Sequence, residues 1–222
     1  AQPPRYRAAP LTRTAALLTA AAGVLVLGAC GDGAPSTEST DPMTSPFAAK
    51  VDQYATVRLT SDLSMLSEGD REVVRHLLQA VEPMDSVFWM QAYGNRANAL
   101  ALAGDDDALR RYIEINYGPW DRLAGDEPFV EGVGAKPAGA NFYPADMTDE
   151  EFAAAAESDP ALRSLYTVVD RDHDGALQAV PYHERFAPQH EVAARHLRAA
   201  ADAATEPGLK RYLELRAEAL LT

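Results

Sequence analysis

Cysteine occurs once in the 222 residues, at position 30, and basic residues are few, with 20 Lys and Arg against 33 Asp and Glu. A single cysteine excludes an intramolecular disulfide and a cysteine-rich zinc site. The net charge is −13, and it becomes −16 without the first 29 residues, which carry three arginines and no acid. Because so acidic a chain repels phosphate backbones, the composition argues against nucleic acid as a partner.

The motifs of several enzyme classes are also missing. No serine lies in a G-x-S-x-G elbow, no G-x-G-x-x-G follows a predicted strand, and there is no P-loop. Hydrophobic residues make up 47% of the chain and charged residues 24%. These ordinary proportions exclude collagen-like, coiled-coil and wholly disordered proteins and leave a globular one.

The first 29 residues have the pattern of a secretory signal peptide. Three arginines precede an apolar run from Ala15 to Ala29, which at about 1.5 Å per residue is too short to cross a bilayer core of about 30 Å. The run ends in Leu27-Gly-Ala-Cys30, which resembles the lipobox of bacterial lipoproteins. This resemblance implies that Cys30 is lipidated and anchors the protein to a membrane of the cell envelope, on its periplasmic side or outer face. The alternative is an ordinary signal peptide with an incidental cysteine.

The residues that follow Cys30 predict a flexible tether. Residues 31–46 are rich in Gly, Ser, Thr, Pro and Asp, so they cannot bury enough apolar surface to offset their ordering entropy. The sequence therefore divides into a signal peptide (1–29), a lipidated cysteine with its tether (30–46) and a folded part (47–222).

The folded part predicts a predominantly helical α+β structure with a few short strands. Ser67, Asp105 to Asp107 and the Thr148–Glu151 capping box each open a helical pattern, and Pro83 is expected to kink or split the first of these helices. Residues 129–144 are rich in Gly and Pro and predict a long irregular stretch.

Three further elements follow. Two β-prone runs around Asp174-Gly175 predict a hairpin, and helices are expected from about Gln189 to Ala204 and from Pro207 onward. The last helical pattern continues to Thr222 without a cap, which suggests that the chain is cut short.

Two groups of residues in the sequence resemble parts of metal-binding sites, one for zinc and one for calcium. His190-Glu191 and His196 are spaced i, i+6, which on a helix points the imidazoles about 120° apart, so two solvated histidines are expected instead of a zinc site. Asp170, Asp172 and Asp174 resemble the start of a calcium loop, but the twelfth position, which needs a bidentate Glu, is Pro181. A polar hairpin tip is the preferred interpretation.

Five runs in order resemble one family: Val57–Ser64, Met84–Gly94, Ile115–Leu123, Phe129–Met147 and Tyr212–Thr222. Together they look like the N-terminal portion of bacterial zinc-dependent peptidases similar to dipeptidyl peptidase III. The resemblance extends over roughly residues 47–222, and the long Phe129–Met147 run is its most specific part.

The resemblance implies a two-lobed parent enzyme that cleaves short peptides in the cleft between its lobes. Zinc is held there by two His of an H-E-x-x-G-H helix and by a later Glu, and this chain contains no such motif. No catalytic or metal residue is therefore carried over, zinc is expected only in the full-length parent, and this chain alone is expected to be inactive. Some relatives carry a Nudix domain at the front, but this chain has no Nudix box.

Two residues of the Phe129–Met147 run, Asn141 and Tyr143, are candidate contacts to a peptide in the cleft. Their alternative role is to satisfy backbone groups of their own irregular loop. A second hypothesis for the whole chain is a non-catalytic envelope lipoprotein domain that binds peptides or calcium.

Overall fold

A computed structural model of the chain describes residues 45–222. The predicted signal peptide, Cys30 and all but the last two residues of the predicted tether lie outside the described residues. The helices are α1 (Ala48–Val51), α2 (Glu68–Ala92), α3 (Arg96–Ala101), α4 (Asp107–Asn116), α5 (Asp149–Ser158), α6 (Tyr182–Arg185), α7 (Ala187–Ala203) and α8 (Pro207–Ala219). The strands are β1 (Trp120–Asp121), β2 (Glu127–Pro128), β3 (Thr167–Arg171) and β4 (Leu177–Pro181).

The largest core lies where α2 and α8 pack against α7. Its buried residues are Val73, Ala80, Ala194, Leu197, Ala200, Ala201, Leu213 and Ala217. Alanines make up most of the α7 contribution, and their small side chains let the three helices approach closely. Ser67 caps α2, since its hydroxyl accepts a hydrogen bond from the Asp70 amide over 3.1 Å.

Helix α2 continues through Pro83, so the proline does not split the helix, and a kink there stays a prediction. Proline costs a helix interior about 3 kcal/mol. The two halves of α2 are both anchored by burial, with Val73 and Ala80 before the proline and Val87 and Trp89 after it. Burial of these side chains outweighs the cost of the proline.

The short elements around α4 are built on aromatic side chains. The Phe47 ring lies 6.1 Å from the Tyr112 ring and 5.9 Å from the Phe129 ring, between centroids. This contact fixes α1 against α4. Helix α4 begins at the Asp106 cap and ends at Tyr117, which adopts the left-handed conformation with φ of 53°.

The strands form two separate antiparallel pairs, β1 with β2 and β3 with β4. In the second pair Val168 lies opposite Val180, and the strands turn through Asp174-Gly175, where Gly175 has a φ of 85°. The hairpin prediction is confirmed, and so is the predominantly helical α+β fold class.

Two local expectations need correction. Thr148 accepts a hydrogen bond from the Glu151 amide as predicted, but the Glu151 carboxylate pairs with Arg171, over 2.7 and 3.0 Å, instead of closing the capping box. Helix α8 does not continue to Thr222 but ends at Ala219. The carbonyl of the next residue, Leu220, accepts a hydrogen bond from the side chain of His190.

Within residues 45–222, none of the helices combines the length and the apolar character that a membrane span requires.

Candidate functional site

A groove lies between the C-terminal half of α2 and the loop that follows β2. It has a volume of about 470 Å³, and its lining includes Phe88, Gln91, Arg122, Lys136 and Phe142. We call it the α2 groove. An adjoining hollow of about 590 Å³ shares Lys136 and Phe142 and continues along Ala135 to Ala140.

The cations of the α2 groove are held by neighbouring groups. Arg122 donates from Nε to the Asn116 carbonyl over 3.1 Å, and its guanidinium lies over the rings of Phe88 and Tyr117 at 5.6 and 5.4 Å. Lys136 pairs with Asp126 over 3.1 Å. Asp126 also lines the groove, so the lining combines aromatic surface with two cations and one carboxylate.

Tyr117 links this groove to α2. Its hydroxyl donates to the Asp85 carboxylate over 2.6 Å, and this bond raises the pKa of Tyr117 above its usual range. The hydroxyl therefore keeps its proton and remains a hydrogen-bond donor to Asp85 at a higher pH than a free tyrosine would. Its position beneath the Arg122 guanidinium helps to hold that cation at the groove.

Two hydrogen bonds hold the loop that forms the other wall of the groove. The Trp120 indole donates to the Gly134 carbonyl over 3.0 Å, and the Asn141 amide donates to the Met90 carbonyl over 2.9 Å. Gly139 has a φ of 73°, and a methyl group there would lie 2.5 Å from Tyr143 Cδ2. The loop thus has one well-defined path along the groove.

The candidate contacts Asn141 and Tyr143 do not line the α2 groove, whereas their neighbours Ala140 and Phe142 do. Asn141 is exposed but its amide is engaged with Met90. Tyr143 is 40% exposed and its ring contacts Phe152 edge-on, with centroids 6.1 Å apart. A role for either residue in peptide binding stays a prediction.

The helical histidines are not brought together. His190 is 8% exposed, and its Nδ1 lies 2.9 Å from the Leu220 carbonyl oxygen. The expectation of two solvated histidines is therefore wrong, because His190 is buried at the α7–α8 contact. His196 instead faces α2, with its ring centroid 6.0 Å from that of His76.

The acidic tip of the β3–β4 hairpin forms a turn whose carboxylates accept hydrogen bonds from its own backbone. The Asp172 carboxylate accepts hydrogen bonds from the amides of Asp174 and Ala176, both over 2.9 Å. Asp170 accepts from the Arg171 amide over 2.9 Å. Across residues 45–222, no group of three or more His, Cys, Asp or Glu side chains is arranged to hold a metal ion.

The chemistry of the α2 groove is that of binding. Aromatic walls, two cations, the Asp126 carboxylate and the Gln91 amide can contact a polar chain, and the lining contains no histidine, cysteine or serine to act as a nucleophile. Sequence reasoning did not single out Phe88, Arg122 or Lys136. All three lie inside the five family-like runs, and that position was the signal for them.

Two solved structures share this fold. Dipeptidyl peptidase III from Caldithrix abyssi is 40% identical with a TM-score of 0.72, over 78% of this chain and 34% of that protein. Dipeptidyl peptidase III from Corallococcus sp. strain EGB is 34% identical with a TM-score of 0.71, over 79% of this chain and 34% of that protein. The resemblance to bacterial dipeptidyl peptidase III is confirmed, and the match fits a partial, N-terminal piece of such a protein.

Among curated proteins, Nudix hydrolase 3 of Arabidopsis thaliana is 25% identical in an alignment 246 positions long, which covers 83% of this chain and 32% of that protein. No family model matches the sequence. The chain spans about a third of the length of each of these three relatives.

Proposed function

We propose that this chain is the N-terminal part of a zinc-dependent peptidase of the dipeptidyl peptidase III type, which releases dipeptides from short peptides in the cell envelope. The observation that carries the proposal is the 40% identity and shared fold with the Caldithrix abyssi protein over 78% of this chain. The Nudix name of the plant relative is not transferred, since this chain covers 32% of that protein and has no Nudix box.

The histidines of the described residues do not fit the catalytic zinc that the resemblance implies. His190 is bonded to the Leu220 carbonyl, and His196 faces His76 across the α2–α7 contact. We therefore assign no catalytic step to this chain. In this proposal, the remainder of the enzyme supplies the metal and its ligands.

The contribution of this chain to the enzyme is a binding surface, the α2 groove. Arg122 offers positive charge to the carboxylate of a short peptide, and Lys136 can share its charge between that carboxylate and Asp126. The Phe88 and Phe142 rings offer apolar contact to the side chains of the peptide. The fixed path of the loop holds these groups in place before a peptide arrives.

The first experiment measures zinc content and dipeptidyl-naphthylamide hydrolysis for the purified chain and for a fusion. The fusion joins this chain to the part of Caldithrix abyssi dipeptidyl peptidase III outside the match. We expect zinc and turnover in the fusion and neither in the chain alone. Stoichiometric zinc with turnover in the chain alone, or an inactive fusion that folds and binds zinc, would contradict the proposal.

The groove is tested in the same fusion. Lys136→Met is expected to raise KM about tenfold at unchanged kcat, since it removes one cation from the groove and leaves Asp126 to repel the peptide carboxylate. Lys210→Met, on α8 and outside the groove lining, is the matched control and should leave both constants unchanged. Equal effects of the two variants would show that the groove does not bind the peptide.

The envelope location rests on Cys30, which lies outside the described residues. In cells fed with labelled fatty acid, the chain should take up label, and Cys30→Ala should abolish it and release the protein or leave its signal uncleaved. Normal labelling of Cys30→Ala would contradict the anchor, and an unlabelled wild-type chain with a cleaved signal would favour an ordinary signal peptide.

A further inference from the structure

A pair of large side chains is exposed side by side just before β3. Leu165 is 84% exposed and Tyr166 is 77% exposed. The backbone beneath them is fixed, because the Tyr166 carbonyl accepts a hydrogen bond from the Tyr182 amide over 2.9 Å. Single exposed apolar residues are common, but an adjacent pair on a fixed backbone beside a groove is typical of an interaction surface.

The groove beside this pair has a volume of about 640 Å³, and its far wall is helix α8. Arg216, Ala219 and Leu220 line it from that helix and its end. Tyr212 and Leu215, which precede Arg216 and Ala219 by four residues and so lie on the same side of α8, are 59% and 47% exposed. We call this combined surface, from Leu165 and Tyr166 to Tyr212 and Leu215, the α8 face.

The α8 face is held in shape from below. His190 lies at the base of the groove, and its bond to the Leu220 carbonyl ties the end of α8 to α7. The Tyr182 ring packs against Phe186, with centroids 5.8 Å apart. Both walls are therefore preformed, so little ordering cost remains for a partner that docks there.

We propose that the α8 face docks the part of a dipeptidyl peptidase III-like polypeptide that lies outside the match, through apolar side chains of that part. This inference rests on the proposed function. The match covers 34% of each solved relative, so about two thirds of such a protein lies outside the match and is available to pack against this third. Thr222 also lines the groove, so a polypeptide joined to it would begin on this face.

The experiment uses the part of Caldithrix abyssi dipeptidyl peptidase III outside the match as the probe, co-expressed with the tagged 222-residue chain. The wild-type chain is expected to retain the probe. Leu165→Asp with Tyr166→Asp should reduce the retained probe by about tenfold or more, since it removes two apolar contacts and adds two charges. Leu78→Asp with Val81→Asp is the matched control, because these α2 residues are 66% and 62% exposed and lie on another surface.

A second measurement does not need the probe to be soluble by itself. Hydroxyl-radical footprinting of the fusion of this chain with the same probe is expected to lower oxidation of Tyr166 and Tyr212 severalfold relative to the chain alone. Unchanged oxidation of both tyrosines in a folded fusion would overturn the proposal, as would equal loss of probe in the two double variants. Concentration-dependent dimerisation of the chain that Leu165→Asp with Tyr166→Asp abolishes would also overturn it, because a second copy would then be the occupant.

The two proposals fail separately. Docking that depends on Leu165 and Tyr166 in an assembly that binds zinc and hydrolyses no dipeptidyl-naphthylamide would leave the α8 face standing and remove the peptidase function. Full hydrolysis and full retention of the probe with both residues changed to Asp would support the peptidase function and overturn the docking at the α8 face.

Discussion

The side-chain amide of Asn141 donates a hydrogen bond of 2.9 Å to the backbone carbonyl of Met90, close to the C-terminal end of α2. This bond joins the loop of the α2 groove to the helix that forms its opposite wall. Because the last carbonyls of a helix have no partner within it, a side-chain donor from elsewhere in the fold satisfies one of them here. Asn141 is therefore a fastening of the groove.

Asn141→Ala should lower the free energy of unfolding by about 1 kcal/mol, the usual value for one hydrogen bond. Urea unfolding followed by fluorescence measures it. Asn98→Ala changes an exposed asparagine of α3 and should stay within about 0.5 kcal/mol of the wild type. Equal values for the two variants would show that the Met90 bond contributes nothing to stability.

Gly139 and Tyr143 give a second prediction for the same loop. Gly139→Ala combines a φ of 73° with a methyl group 2.5 Å from the Tyr143 ring, whereas Gly125→Ala has a φ of 69° and nothing within 4 Å. Gly125→Ala therefore measures the backbone cost alone. Gly139→Ala should destabilise the protein by about 1–3 kcal/mol more.

Adding Tyr143→Ala to Gly139→Ala separates the two causes. The excess over Gly125→Ala should largely disappear, because the ring that the methyl group meets is then gone. If the excess stays in the double variant, the cost arises from the backbone and not from Tyr143.

The sequence predicted those elements whose signal is local. Thr148 as a cap, the Asp174-Gly175 turn and the helical spacing of α7 each lie within a few neighbouring residues. Helices α1 and α3 and the β1–β2 pair were not predicted. They are two to six residues long, and α1 depends on distant partners such as Tyr112 and Phe129 around Phe47.

The residues that line the α2 groove could not be predicted from the sequence, because they too depend on contacts between distant segments. The Phe129–Met147 run marked the correct loop, but its backbone has no repeating geometry, so no periodicity tells which side chains face α2. Ala140 and Phe142 line the groove while Asn141 turns to Met90. Similarly, no residue near His190 in the sequence predicts its hydrogen bond to the Leu220 carbonyl, which lies thirty residues later.

Arg171 predicts a dependence of stability on pH. Its hydrogen bonds hold the pKa of Glu151 below 4.5 and that of Asp146 below 3.8, their ordinary values. A carboxylate with a lowered pKa stabilises the fold above its unfolded pKa, and this stability is lost as the pH falls through the folded pKa. The contribution of Arg171 should therefore be complete above about pH 5 and fade below about pH 4.

Arg171→Gln should lower the melting temperature at pH 7, and the difference from the wild type should shrink at pH 3.5. Arg195→Gln, which changes an exposed arginine of α7, is the control and should show no such trend. A gap between Arg171→Gln and the wild type that stays constant from pH 7 to pH 3.5 would mean that the arginine acts through packing and not through its carboxylates.

The last prediction concerns the ion pair that attaches α1. Lys50 Nζ lies 2.9 Å from Asp121 Oδ2, and the lysine side chain is 41% exposed whereas the aspartate side chain is 7% exposed. Burial acts to raise the pKa of Asp121, but hydrogen bonds from Tyr112 and Lys50 outweigh it and lower that pKa overall. Asp121 also accepts from the Leu123 amide over 3.0 Å. Asp121 therefore accepts hydrogen bonds from several donors, whereas Lys50 donates to a single acceptor, Asp121.

Asp121→Ala should cost about 2–4 kcal/mol, because it leaves several donors without an acceptor, and Lys50→Met only about 1 kcal/mol, since the methionine keeps the apolar stem. In a double-mutant cycle by urea unfolding, the coupling energy should be about 0.5–1 kcal/mol, as expected for a partly exposed pair. A Lys50→Met variant as unstable as Asp121→Ala would show that the lysine charge is the main stabiliser of the buried carboxylate. The cap on Leu123 would then matter little.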